Sequence, residues 1–392
     1  EYLGWRDACA QLPHPVELVW TADRGDQEAL VTDWTALGAI VLEAGSGVGG
    51  TWFWNKYPGA RCDIESLEYS YSFDDDLQQE WSWPERYATQ PQILSYIQHV
   101  AERFDLMRDV QLNTRIIEAT FNGDLNRWIL KASNGQTISA RFCIMATGNL
   151  STPRVPDFKG IDTFEGKWYH SGMWPAEGVD FTGKRVGVIG TGSSGIQMIP
   201  LIAQQAKHLY VFQRTPSSID VRNDRPTDPN WAKSLQPGWH QHRMDNFNIL
   251  VSGGFAEEDL VKDGWTDIIG NILLLARRKA EAGEAVENPA ELMQLADFKK
   301  MEQVRARVDQ EVADRATAEA LKPWYNQFCK RPCFHDDYLA TFNRPNVHLI
   351  DTQGKGVERI TEHGVVANGK EYEVDCLIFA TGFEVGTAYT RR

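Results

Sequence analysis

Val186-Gly187-Val188-Ile189-Gly190-Thr191-Gly192-Ser193-Ser194-Gly195-Ile196-Gln197 runs from an apolar strand through three glycines at GxGxxG spacing into a helix-forming stretch. Each glycine has a physical task in such a unit. The first permits a tight turn, the second lets backbone approach a pyrophosphate, and the third allows a helix to pack closely on the strand. Gly190, Thr191, Gly192, Ser193, Ser194 and Gly195 are therefore expected to cradle a dinucleotide at a helix N-terminus, where unpaired N–H groups and the helix dipole favour anions.

Downstream, the next apolar strand closes on Val211-Phe212-Gln213-Arg214. An acid at that point would accept ribose hydroxyl bonds and suggest NAD; a cation suits an adenosine 2′-phosphate. Gln213 and Arg214 are therefore read as binding NADPH, with Lys330 as a second cation for the phosphate. Between Pro216 and Pro323 the composition turns charged and helix-favouring. This predicts a helical insertion over about 217–323, whose charge run at 301–316 reads as a solvated face.

Upstream, Ala39-Ile40-Val41-Leu42-Glu43 is a short apolar run closed by an acid, the pattern of a parallel strand whose last carboxylate can bind a ribose. Gly45-Ser46-Gly47-Val48-Gly49-Gly50 satisfies GxGxxG formally. An aromatic run and the turn signal Pro58-Gly59 follow it instead of a helix, so it is rejected as a phosphate loop. Residues 91–104 carry apolar side chains at helical spacing, and residues 111–133 alternate as paired strands do. Two further strands, near 141–148 and 375–383, each end on Ala-Thr-Gly: Ala146-Thr147-Gly148 and Ala380-Thr381-Gly382. Two such endings suit two nucleotide-binding modules.

Phe164-Glu165-Gly166-Lys167-Trp168-Tyr169-His170-Ser171-Gly172-Met173-Trp174-Pro175 supplies five fixed positions in order. It resembles the FxGxxxHxxxWP fingerprint of flavin-dependent Baeyer–Villiger monooxygenases, and the Trp174-Pro175 ending favours ketone oxidation over oxygenation of nitrogen or sulfur. The resemblance covers roughly residues 40–215 and 325–385. It implies FAD and NADPH as cofactors, O2 and a small apolar ketone as substrates, and an ester or lactone formed through a C4a-peroxyflavin. It also implies that Glu43 binds the adenosine ribose and that Gly49, Gly50, Thr51, Trp52, Phe53, Trp54 and Arg61 contact the flavin. Tyr69 would lie near the flavin. Arg331, in Cys329-Lys330-Arg331-Pro332, matches the family's active-site arginine, and Asp63 matches the acid beside it. A guanidinium is permanently cationic and offers forked donors to charge developing on oxygen, so Arg331 and Asp63 are the catalytic choices. His170 is instead implied to help couple the nucleotide domains. The tracts Asp228–Trp239 and Asp263–Asp267 are similar to a branch acting on bulky or large-ring ketones.

The expected architecture is α/β, with two tandem Rossmann-like nucleotide-binding domains and a helical insertion. It places an FAD-binding domain at 1–150, an NADPH-binding domain at 151–376, and a return to the FAD domain at 377–392. With 392 residues the chain has ample length for that. A net charge of −14 argues against nucleic acid and anionic membranes as partners. Six cysteines without a CxxC pair suggest reduced thiols in the cytoplasm, and no metal is expected. Neither a leader nor a bilayer-length apolar run is seen.

Two features depart from the family pattern. The first 42 residues contain only Gly4, Gly25 and Gly38, with no GxG pair, although the family carries a strand, glycine loop and helix there. The chain also stops soon after its second Ala-Thr-Gly. The expectation is that segments are missing and their flanks joined, in preference to a truncated or degenerate homologue. The competing functions are an N- or S-oxygenating flavin monooxygenase and a non-catalytic NADPH-binding remnant.

Overall fold

The computed structural model describes residues 18–22, 39–148, 150–252, 254–268, 270 and 289–384. Two compact units emerge: Glu1–Asn55 with Pro91–Pro153 and Phe383–Arg392, and Lys56–Gln90 with Arg154–Gly382.

In the first unit, β1 (Leu18–Ala22), β2 (Ile40–Glu43), β3 (Val110–Gln111) and β7 (Phe142–Ile144) form a parallel sheet in the order β3-β2-β1-β7. β4 (Ile116–Asn122), β5 (Arg127–Ala132) and β6 (Thr137–Ala140) make an antiparallel sheet. Leu42 of the first sheet and Leu130 and Ala140 of the second share one apolar cluster. The helix Gln90–Arg103 buries Ile93, Tyr96 and Val100, three residues on one stripe. A strand does precede β2, in register Ala22 to Glu43, although no glycine pair follows it in the sequence. Gly4, Gly25 and Gly38 lie outside the described residues.

In the second unit, β8 (Lys167–His170), β9 (Arg185–Ile189), β10 (His208–Gln213), β13 (Val347–Asp351) and β17 (Cys376–Phe379) run parallel in the order β13-β10-β9-β17-β8. The sheet is covered on both faces, and period two sorts the side chains between them. Val186, Val188, Leu209, Val211, Cys376 and Ile378 join one cluster with Ile196, Ile199 and Ile202 of the helix Ser193–Gln205. Ile189, Phe212, Leu377 and Phe379 join another with Val365 and Ala367. Those last two belong to β15 (Gly364–Ala367), the middle strand of a small antiparallel sheet with β14 (Arg359–Ile360) and β16 (Lys370–Glu373).

The helical insertion leaves and rejoins the sheet domain through a parallel pair, β11 (Ile219–Asp220) with β12 (Cys333–Phe334). Its helices include Trp239–Val251 and Pro289–Glu311. The charge run at 301–316 is a solvated face only in part: Glu302, Asp309, Asp314 and Arg315 are exposed, but Arg305 and Arg307, like Lys300 just ahead of them, are not. Lys300, Arg305 and Arg307 are all under 10% exposed. Lys300 pairs with Asp220, Arg305 donates to the Pro323 carbonyl, and Arg307 donates to the His335 carbonyl. These long cations tie the insertion down from within.

The compact units differ from the boundaries 1–150, 151–376 and 377–392. Residues 56–90 fold with the second unit, because Tyr57 Oη donates to Gln197 Oε1 at 2.8 Å and Gln197 Nε2 donates to the Arg61 carbonyl at 3.0 Å. β17, split by the boundary at 376, lies inside the second unit's sheet between β9 and β8. The five described cysteines are free thiols. Among the described residues no helix is long and apolar enough to cross a membrane.

Candidate active site

The glycine loop divides its labour as its spacing requires. Gly190 has φ +111°, and a Cβ there would lie 2.4 Å from the Ala380 carbonyl oxygen. A Cβ on Gly195 would lie 2.4 Å from the Gly190 oxygen. Those two positions are closed by backbone. Gly192 has φ −79° and nothing within 4 Å of its missing Cβ, so it is open space that a ligand can enter. It is also the N-cap of the 13-residue helix Ser193–Gln205, and no side chain caps that end. The first-turn N–H groups are left for an anion.

The loop opens on a cleft of about 490 Å³. Arg154, Arg214, Lys330, Arg331 and Lys355 line it, and no carboxylate does. In a chain of net charge −14, five cations around one cavity mark it for a polyanion. Lost hydration, and after it repulsion from Arg214, hold the Lys330 ammonium below its ordinary pKa. The two cations therefore share a field that a phosphate would relieve. A dinucleotide carrying a 2′-phosphate fits this lining. Gln213 is fully buried, and its amide donates to the Ala320 carbonyl at 2.7 Å, so it braces the strand end.

Asp63 and Arg331, 268 residues apart, meet at the side of the cleft. Arg331 Nη2 and Nε donate to Asp63 Oδ2 at 2.6 and 3.1 Å. Burial works against the guanidinium charge, the Asp63 carboxylate more than offsets it, and the Arg331 pKa lies above its usual value. Trp265, from the insertion, holds both partners. Its indole N–H donates to the Asp63 carbonyl at 3.0 Å, and its ring lies 5.4 Å beneath the Arg331 guanidinium carbon. Sequence reading singled out the tract containing Trp265 only as a subfamily mark, because nothing local tells which distant loop an indole will reach. Arg154 and Lys355 were missed for the same reason. Tyr69 lies close enough to Arg331 to act on its charge. Arg61 is not brought to the cleft: its guanidinium is engaged by Asp224 at 2.7 Å and Glu85 at 3.0 Å.

The first unit places the other expected residues. Glu43 ends β2 at 1% exposure, and its Oε1 accepts the Gly45 N–H at 2.6 Å. It occupies the strand-end position from which a Rossmann carboxylate reaches ribose, so the residues present suit an adenosine ribose. Gly49 and Gly50 take φ +132° and +49° and start the short helix Thr51–Trp54, which carries Thr51, Trp52, Phe53 and Trp54. Missing Cβ atoms at Gly45 and Gly47 would lie 2.9 and 2.8 Å from the Phe53 ring. These two glycines are thus closed by the packing of Phe53, and a helix, though only the four residues Thr51–Trp54, does follow the GxGxxG pattern, where the sequence led to the expectation of none.

A profile described as flavin-binding monooxygenase-like matches residues 63–229. The chain is 46% identical over 363 residues to Baeyer-Villiger monooxygenase ATR8 of Stachybotrys chlorohalonatus, covering 90% of this chain and 57% of that protein. It is 47% identical over 371 residues to neopentalenolactone D synthase of Streptomyces avermitilis, covering 90% and 60%. The structure of an oxidized steroid monooxygenase bound to NADP superimposes with a TM-score of 0.76 at 36% identity, covering 94% of this chain and 71% of that one. The chain belongs to the Baeyer–Villiger monooxygenase family. It spans about three fifths of the length of these two curated relatives.

The fingerprint of this Baeyer–Villiger family member turns out to be framework. Phe164 packs on the cluster beneath β17, and a Cβ on Gly166 would lie 2.5 Å from the Asp375 carbonyl oxygen. Trp174 is buried against Tyr169 and Phe181. His170, 1% exposed, accepts the Gly172 N–H on Nδ1, which leaves Nε2 to donate to the Arg154 carbonyl at 3.2 Å. Thr381 Oγ1 donates to that same carbonyl at 2.7 Å. His170 thus ties Arg154 to Thr381, near the two ends of the second unit's longer segment.

Proposed function

We propose that the protein is an FAD-dependent, NADPH- and O2-consuming monooxygenase that converts a ketone to an ester or lactone. The single observation that carries this is Arg331, held by Asp63 and Trp265 at the wall of a cleft lined by cations. When bound, a flavin reduced by NADPH supplies activated oxygen to the carbonyl. The chain's own residues do the rest. The Gly190–Ser193 backbone and the helix N-terminus receive the dinucleotide pyrophosphate, and Arg214 and Lys330 receive the 2′-phosphate. Glu43 binds the flavin's adenosine ribose.

Arg331 then stabilises negative charge as it develops on oxygen. It cannot surrender a proton at neutral pH, so it holds an oxygen anionic and nucleophilic where a lysine or histidine would neutralise it. Asp63 orients the guanidinium and offsets the cost of its partial burial. A preorganised donor of this kind contributes roughly 10²–10³ in rate. One relative is named for a lactone and one similar structure for a steroid. We take the substrate to be a bulky, polycyclic ketone.

The test supplies purified protein with FAD, NADPH, O2 and a steroid ketone, and analyses products by mass spectrometry. An ester heavier than the ketone by one oxygen supports the reading. NADPH consumed with only a sulfoxide or N-oxide ever formed from mixed substrates would favour soft-atom oxygenation. A colourless protein that binds NADP+ but takes up no FAD would overturn the enzyme reading.

A further inference from the structure

The loop after β13, Thr352-Gln353-Gly354-Lys355-Gly356, is built onto the strand end that carries Arg214. Thr352 is 1% exposed, and its backbone N–H and Oγ1 both donate to the Gln213 carbonyl at 2.8 Å. Gly354 N–H donates to the Arg214 carbonyl at 2.8 Å, and Gly356 N–H donates to Thr352 Oγ1 at 2.9 Å. Lys355 N–H closes the turn on the Thr352 carbonyl at 3.0 Å. Three of the five residues hold left-handed backbone: Gln353 at φ +50°, Gly354 at +84° and Gly356 at +81°. A missing Cβ on Gly356 would stand 3.8 Å from Arg214 Cδ.

Such a loop is preformed: three hydrogen bonds fix it to the neighbouring strand end, two close it on Thr352, and glycines supply two of its three left-handed positions. It presents Lys355 to the cleft beside Arg214. The nearest carboxylates along the chain are engaged elsewhere, Asp351 accepting from Gln353 N–H and Glu358 from Gly369 N–H, and neither lines the cleft. Among the described residues, Lys355 and Arg214 have no carboxylate partner. The sheet places both at the carboxyl ends of adjacent strands, β13 and β10, the end at which an open α/β sheet binds the adenosine half of a dinucleotide.

We infer that Lys355 is a specificity-determining residue that joins Arg214 in binding the adenosine 2′-phosphate, so that the Thr352–Gly356 loop selects NADPH over NADH. The inference rests on the reading of this cleft as the NADPH site. A doubly charged phosphate held between a guanidinium and an ammonium gains charge-assisted bonds that a ribose hydroxyl cannot make.

Titration calorimetry of the purified protein with NADP+ and with NAD+, in parallel for Lys355→Met and Lys355→Arg, tests it. Methionine keeps most of the stem and removes the charge. The expected result is roughly 10- to 100-fold weaker NADP+ binding in Lys355→Met, with NAD+ binding unchanged and Lys355→Arg close to the parent. Unchanged NADP+ affinity in Lys355→Met overturns the inference, as does an equal loss for both nucleotides, which would make Lys355 a general charge. A parent protein that binds neither nucleotide overturns the cleft assignment itself, and is distinguished from both by the parent titration.

Discussion

Arg331 spends two of its five N–H donors on one oxygen, Asp63 Oδ2, which leaves three for charge elsewhere. Replacement by alanine is expected to lower oxygenation by about 10²–10³ while NADPH-dependent flavin reduction, followed by stopped-flow absorbance, persists. Lysine cannot restore two donors to Oδ2 and a third outward at once, so Arg331→Lys should recover little. Trp265 separates two contributions. Trp265→Phe keeps a ring beneath the guanidinium but loses the N–H bond to the Asp63 carbonyl, at a cost of about 0.5–1.5 kcal/mol. Trp265→Ala removes the ring as well, worth roughly 0.5–1 kcal/mol more at a partly exposed cation. More hydrogen peroxide released per NADPH consumed, in the order parent, Phe, Ala, is the expected reading. Equal coupling in all three would show that the insertion does not position Arg331.

Among the elements, the strand–loop–helix unit makes opposed demands on its glycines. Gly190→Ala must adopt φ +111° against the Ala380 oxygen, so thermal unfolding should show a loss of about 1–3 kcal/mol. Gly192→Ala meets no protein atom within 4 Å; its melting temperature should hold while NADP+ affinity drops. A second element prediction concerns His335, whose Nδ1 accepts the N–H groups of Asp337 and Tyr338 at 3.0 and 3.1 Å. Burial, then the charges of Arg222 and other neighbours, push its pKa down to about 3. The unfolded chain binds that proton near pH 6.5, so the His335 contribution to stability is full above 6.5 and is lost as pH falls toward 3. Denaturant titrations between pH 7 and 5 should show stability falling by up to about 1.4 kcal/mol per unit from this group, with a flatter profile in His335→Asn. The unit around Gly190 was legible because glycine spacing and apolar period state its geometry locally. Arg305 and Arg307 were illegible: their neighbours in sequence are those of a solvated face, and only the distant Pro323 and His335 carbonyls make burial tolerable.

At the scale of the molecule, a net charge of −14 surrounds a cleft ringed by five cations. NADP+ affinity should therefore weaken steadily as salt rises through the range in which the Debye length shrinks below about 10 Å, and more steeply than NAD+ affinity. Two-module architecture and cofactor class could be read from sequence because each module announces itself by a strand end. The pairing of Asp63 with Arg331 could be read only through family likeness, since no spacing rule links residues so far apart. The membership of residues 56–90 in the second unit depends on Tyr57, Arg61 and Gln197 meeting in space, and no local pattern expresses that. The most direct measurement supplies the protein with 18O2, NADPH, FAD and a polycyclic ketone and weighs the product. The expected result is an ester or lactone carrying one 18O atom, formed in near proportion to NADPH consumed and lost in Arg331→Ala. Ketone returned unchanged while NADPH and O2 are fully consumed, in parent and variant alike, would contradict the account.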